Sequence, residues 1–173
     1  MISWVKRADK KSDKYTFDIY FKIEDMYAGI DFRQFDPTNP IEISHPCDPK
    51  ILCKNVHACW YGSHSPDGIN PDHGIFAGEM RFVKPMPKNG YWIGDNNIIH
   101  DLEEARRLIY IPSYHQHILT ILRKNYAWYK LLKKMRDSKI YFKFCDPHDS
   151  NDLTSITALS PSFVFVNFVN TML

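Results

Sequence analysis

Asp101-Leu-Glu-Glu-Ala-Arg-Arg-Leu-Ile-Tyr-Ile-Pro-Ser-Tyr114 is the stretch on which the fold turns. Asp101 has the short acceptor side chain of a helix N-cap, and Glu104 stands three residues on as a capping-box partner. A helix is therefore predicted from Leu102 to about Tyr110. Pro112 has no N–H to waste in a first turn, so a second helix is predicted from about Ser113 to Met135. Its apolar positions Ile118, Leu119, Ile121, Leu122, Tyr126, Tyr129, Leu132 and Met135 cover a broad arc at the helical period. Arg123, Lys130 and Lys134 share the remaining stripe.

Downstream, Ile140, Phe142 and Phe144 alternate with Tyr141, Lys143 and Cys145, which reads as a strand, and Phe163 to Val169 reads as a last one. Upstream, Tyr15 to Lys22 alternates with period two in β-favouring residues and predicts another strand. Residues 35–75 carry Pro37, Pro40, Pro46, Pro49, Pro66 and Pro71, which break any long helix or central strand. Only Ile51 to Tyr61 has the character of a short helix there. Such long structured loops are commonly functional. Glu79 to Val83 reads as a short strand before the turn-rich run from Lys84 to Gly90. Both element types without a regular βαβ spacing predict an α+β fold: a helix pair packed on a small mixed or antiparallel sheet, with long loops. Residues 1–14, with Lys6, Arg7, Lys10, Lys11 and Lys14, read as a basic arm before a single domain over 15–173.

At 173 residues, with 44% apolar and 14% aromatic side chains, the chain can bury a core without disulfide staples. There is no long apolar run of membrane-spanning kind and no signal-peptide pattern at the start, so the expected location is the cytoplasm, with no membrane partner. Cys47, Cys53, Cys59 and Cys145 are expected as free thiols. A net charge of +2 gives no global field for a polyanion, so nucleic-acid binding is expected to be weak or absent.

The cluster Cys47, Cys53, His57, Cys59, His64, His73 offers zinc-type ligands, but its spacings match no closed tetrahedral pattern, so no metal is expected. His115 and His117 point apart on a helix. The run Cys145-Asp146-Pro147-His148-Asp149 at a strand end is a polar cluster that a turn explains equally well. Trp60, Tyr61, Trp92, Tyr110 and Tyr114 are candidates to stack on a base or ribose, a contact that contributes about 1–3 kcal/mol. Arg106 and Arg107 are adjacent on a helix, so one is expected to pair inward or hold a phosphate while the other is solvated. There is no Walker loop, Gly-x-Gly-x-x-Gly, His-Glu-x-x-His or Gly-x-Ser-x-Gly, which disfavours kinase, dinucleotide dehydrogenase, zinc protease and α/β-hydrolase readings.

The segment order resembles a family of small bacterial and phage proteins that pair a Val-Glu-Gly-x-Trp-x-Gly segment with an Ala-Arg-x-x-Ile-Tyr-Leu-Pro-x-Tyr helix junction and an Asp-rich turn. Val56 to Gly62, Ala105 to Tyr114 and Asp146 to Asp152 are the matching stretches, of which the second is the specific one. That family is in turn more weakly similar to the NADAR (YbiA-like) N-glycosidases, which cleave the bond between a ribose-type sugar and an amino-bearing base or product. The resemblance implies a nucleotide- or ribose-handling protein, with an N-glycosidase acting on a nucleotide or ADP-ribose-like substrate as its enzymatic form and no cofactor. It implies the host cytoplasm for a phage-encoded member.

The NADAR pattern has a carboxylate where this chain has His57. Cleaving an N-glycosidic bond builds positive charge on the sugar and needs an acid for the leaving group. The anion must then come from Glu79, Asp95, Asp101 or Asp146, and His57 can be the acid. Trp60, Trp92, Arg106, Arg107, Tyr110 and Tyr114 are the expected ligand contacts. The rival expectation is a non-catalytic phage-type protein that sequesters a nucleotide or blocks a host protein, and a third is a nucleic-acid-binding module using Arg123, Lys130 and Lys134.

Overall fold

A computed structural model describes residues 2–5, 16–19, 31–80, 87–138, 141–145 and 150–173. Their order is β1 (Ile2–Val5), β2 (Thr16–Ile19), a 3₁₀ turn (Phe32–Phe35), β3 (Ile43–His45), β4 (Asp48–Cys53), α1 (Val56–Gly62), α2 (His73–Phe76), β5 (Tyr91–Trp92) and β6 (Ile98–Ile99). There follow α3 (Leu102–Ala105), a π-helical turn (Arg106–Tyr110), α4 (Ile111–Lys124), α5 (Tyr126–Asp137), β7 (Tyr141–Cys145) and α6 (Pro161–Met172). The fold is α+β. Its contacts divide into two compact units, one of Met1–Asp36, Ile118–Asp152 and Thr157–Leu173, the other of Pro37–His117 and Leu153–Ile156. Of the arm expected over residues 1–14, Ile2–Val5 form β1 and the basic residues from Lys6 to Lys14 lie outside the described residues, as do Asp146 and residues 81–83 of the strand expected from Glu79; Glu79 and Met80 themselves are irregular.

The first unit holds a three-stranded sheet with β7 at its centre, flanked by β1 and β2, both parallel to it. Parallel neighbours need long crossovers, and here the chain between β2 and β7 contains the whole main segment of the second unit. Phe142 and Phe144 of β7 are buried. Phe144 meets Phe32 and Phe165 at centroid distances of 5.5 and 5.0 Å, and Trp128 of α5 stands edge-on to Phe32 and Phe35 at 5.2 and 5.0 Å. Burial of each such side chain contributes about 1.5–3 kcal/mol. This aromatic cluster is the unit's core.

Three stretches differ from expectation. Of the short helix expected over Ile51 to Tyr61, Ile51–Cys53 belong to β4, and the helix starts only at Val56 after the Asn55 cap. Phe163–Val169 belongs to helix α6, not a strand. Its Val and Phe residues suit a pleated surface, but Ser160 caps the helix by accepting from the Phe163 N–H at 3.0 Å, and Pro161 occupies the first turn. Val164, Phe165, Val166, Phe168 and Val169 are all buried, so the helix is enclosed on most sides, and its exposed polar stripe of Asn167, Asn170 and Thr171 falls mostly beyond the apolar run.

The helix predicted across Ser113–Met135 breaks at Asn125, whose side chain accepts from the Ala127 N–H at 3.1 Å and starts α5. Pro112 begins no new helix. The chain runs through it from α3 into α4, and the missing N–H is absorbed by widening, with the Ile111 N–H reaching back to the Arg106 carbonyl. The Leu108 carbonyl, which a residue other than proline would serve, lies 3.8 Å from the Cys47 thiol.

The second unit has two antiparallel pairs. β3 and β4 match Ile43 with Cys53 and Ser44 with Leu52, with a bulge at Ser44/His45. β5 and β6 pair Tyr91 with Ile99 and Trp92 with Ile98. α1 and α2 close on each other because Gly62 has no side chain: a Cβ there would lie 2.3 Å from the Phe76 ring.

Candidate functional site

Helix α1 begins at Asn55, whose Oδ1 accepts from the Ala58 N–H at 2.7 Å while its Nδ2 donates to the Thr38 carbonyl at 2.9 Å. The His57 N–H reaches the Pro37 carbonyl at 3.3 Å, so the start of α1 is tied to the 37–38 backbone. The Lys54 N–H donates to the Phe76 carbonyl at 2.9 Å, tying the same point to the end of α2. Helix α2 is capped by Asp72, which accepts from the Ile75 N–H at 3.2 Å. Its exit is locked by the Gly78 N–H to the Ile75 carbonyl and the Glu79 N–H to the Gly74 carbonyl, each 2.9 Å.

Between these anchored backbones lies a cleft of about 660 Å³, lined by Thr38, Pro40, Lys54, Asn55, His57, Ala58, Tyr61, Ile75, Gly78, Glu79 and Met80. This is the size range of small-molecule sites. His57 and Tyr61 are one helical turn apart and share that face, with ring centroids 5.7 Å apart at 83°. One imidazole, one carboxylate, one ammonium and one phenol thus border an otherwise mainly apolar wall.

His57 and Glu79 are the two predicted catalytic residues that this cleft brings together. Asp101 is the N-cap of α3, accepting from the Glu104 N–H at 2.7 Å. Asp95 is in the turn joining β5 to β6, with a positive φ of 45°. Asp146 lies outside the described residues.

The predicted ligand contacts lie elsewhere. Trp60, one residue before Tyr61, points into the core against Tyr91, His64 and Tyr110 at 4.9, 5.4 and 5.8 Å. Tyr110 and Tyr114 are buried 6.3 Å apart, and Trp92 is buried against His45 at 5.2 Å. Arg106 is 4% exposed and donates from Nη1 to the carbonyls of Leu153 and Ser155, both at 2.8 Å. It fastens the segment 153–156 to the π turn. Arg107 is exposed and pairs with Glu103 one turn back at 2.6 Å. None of these junction residues lines the cleft.

Two other clusters carry reactive groups in inert settings. His45 is fully buried. Its Nδ1 accepts from the Cys47 N–H at 3.2 Å, so the proton belongs on Nε2, which donates to Ser63 Oγ at 2.9 Å. Ser63 passes its own proton to the Cys59 carbonyl at 2.7 Å. A serine whose hydroxyl receives a proton from histidine is not activated by it. Burial pushes His45 down to about 4, with the Asp48 carboxylate opposing weakly. The Cys53 thiol is raised by its hydrogen bond with Cys59 and then by burial, so it stays protonated. Among the described residues no group of three or more His, Cys, Asp or Glu side chains is placed to hold a metal ion, and no helix is long and apolar enough to cross a membrane.

No family model, curated protein or solved structure matches this chain. Lys54 was missed in the sequence because an exposed lysine in a loop carries no pattern. Tyr61 was named only as a stacking aromatic, although its spacing from His57 placed both on one face.

Proposed function

We propose that this chain is a nucleotide- or ribose-handling protein whose ligand occupies the cleft bordered by α1 and the exit of α2, and that in its enzymatic form it cleaves an N-glycosidic bond. The observation carrying this reading is the meeting of His57 and Glu79 in one cleft of about 660 Å³. They were selected for the anion and acid that such a cleavage needs. In the proposed reaction the bond between the anomeric carbon and the base nitrogen breaks and its electron pair leaves with the base. Glu79 stabilises the positive charge developing on the sugar, protonated His57 gives its proton to the departing nitrogen, and water adds to the anomeric carbon, its released proton returning to His57. Tyr61 and Ile75 offer apolar surface to a base or ribose.

The non-catalytic alternative uses the same cleft to hold a nucleotide without cleaving it. It is favoured by the exposure of Glu79, since a solvated carboxylate stabilises a nearby cation less than a desolvated one. One experiment separates the two. The protein is incubated with nucleotides and ADP-ribose-type compounds at millimolar concentration, free base is measured by chromatography, and binding is measured in parallel by calorimetry. Base release that Glu79→Gln abolishes in a folded protein supports the enzyme, and binding without release supports the holding protein. Absence of both overturns the reading.

A further inference from the structure

Resting on that reading of the cleft, we propose that Lys54, seated on the backbone of Gly78, binds a phosphate of the ligand and gives the cleft its preference for phosphorylated over neutral compounds. Gly78 has φ +94°, and a Cβ built there would lie 2.2 Å from Lys54 Cδ and 3.1 Å from Nζ. The lysine stem therefore occupies the space that any other residue at 78 would fill. Both backbones beneath it are fixed, Lys54 to Phe76 and Gly78 to Ile75, each at 2.9 Å. An ordinary surface lysine loses its rotamer freedom when it grips an anion. Here the close approach to Gly78 restricts the stem in advance, which favours binding.

The ammonium itself has no ion pair or hydrogen bond among the described residues. The two arginines predicted for this task are committed elsewhere, Arg106 to the carbonyls of Leu153 and Ser155 and Arg107 to Glu103. Among the described residues Lys54 is the lysine or arginine on the cleft lining, and Glu79, also on it, is one residue beyond Gly78. A phosphorylated ligand in this cleft thus meets both the Lys54 ammonium and the Glu79 carboxylate. Gly78 acts as a positioning residue, through Lys54.

The test measures binding of AMP and adenosine by calorimetry, with ribose 5-phosphate and ribose as a second pair. The unmodified protein is expected to prefer the phosphorylated member of each pair by about tenfold or more, the scale of one charge-assisted hydrogen bond. Lys54→Met should bring the two members of each pair close together. Gly78→Ala keeps the lysine charge yet should narrow the preference, a readout that loss of stability alone does not move. If Gly78→Ala does not fold, Lys54→Met carries the test. Equal affinity within each pair for the unmodified protein, or a preference that survives Lys54→Met, overturns the assignment of Lys54 while leaving the cleft as a ligand site. If no member of either pair binds, the reading of the cleft falls and this inference falls with it.

Discussion

The helix junction around Arg106–Tyr114 and the cleft beside His57 and Glu79 belong to the same unit, yet they answer opposite demands. The junction has the more distinctive sequence and turns inward: Arg106 is buried and donates from Nη1 to two backbone carbonyls, and Tyr110 and Tyr114 are buried. The cleft is assembled from common residues at helix ends and is open. Packing a π turn against a core constrains its inward residues, here Arg106, Ile109, Tyr110 and Tyr114, while a binding site needs only a few chemical groups on anchored backbone.

Substitutions at the junction should therefore cost stability, and substitutions at the cleft should cost binding. The largest effect is expected for Arg106→Met, which removes a buried guanidinium and leaves the partly buried Leu153 and Ser155 carbonyls without their donor. A loss of about 4 kcal/mol is expected in urea unfolding. Ligand affinity of the fraction that folds should be unchanged, and a selective loss of binding in a fully stable protein would break the comparison.

The next effect is that of pH on the buried His45. Its folded-state value of about 4 is below the ordinary 6.5, so the unfolded chain takes up the proton first. Stability is then fully present above about 6.5 and is lost as pH falls towards 4, by at most about 3 kcal/mol. Unfolding measured at pH 7 and pH 4.5 should show this loss, and His45→Gln should remove much of it. A pH-independent stability would mean that His45 is solvated.

Gly62→Ala should cost about 2 kcal/mol, because the new methyl meets the Phe76 ring between α1 and α2. As both helices line the cleft, ligand binding should weaken with it. Arg107→Ala should change stability by only about 0.3 kcal/mol, since its pairing with Glu103 is exposed. That near-silence, one residue from Arg106, is the sharpest contrast within the junction.

Much of the fold was legible where local chemistry acts alone. Asp101 caps α3 as its sequence suggests, and the alternation around Phe142 and Phe144 marks β7. What escaped depends on tertiary context. The β-favouring composition of α6 conceals a helix buried on most of its surface, although Ser160-Pro161 signalled its start. Pro112 was read as a beginning because sequence does not show that a helix will widen around it. For the site, the demand for an acid and a carboxylate picked out His57 and Glu79, whereas Lys54 is a loop residue whose place depends on Gly78. The aromatic and arginine contacts were chosen by residue type; Trp60, Trp92, Arg106, Tyr110 and Tyr114 are buried, and Arg107 is exposed and paired with Glu103.

The central claim is that the cleft, and not the junction, meets the ligand. Titrating isotope-labelled protein with ADP-ribose and following backbone amide shifts tests it directly. The account predicts shifts concentrated at 37–40, 54–61 and 75–80, with Arg106 to Tyr114 unmoved. Shifts centred on Arg106 to Tyr114 with a quiet cleft, or no shifts at millimolar ligand, would contradict it.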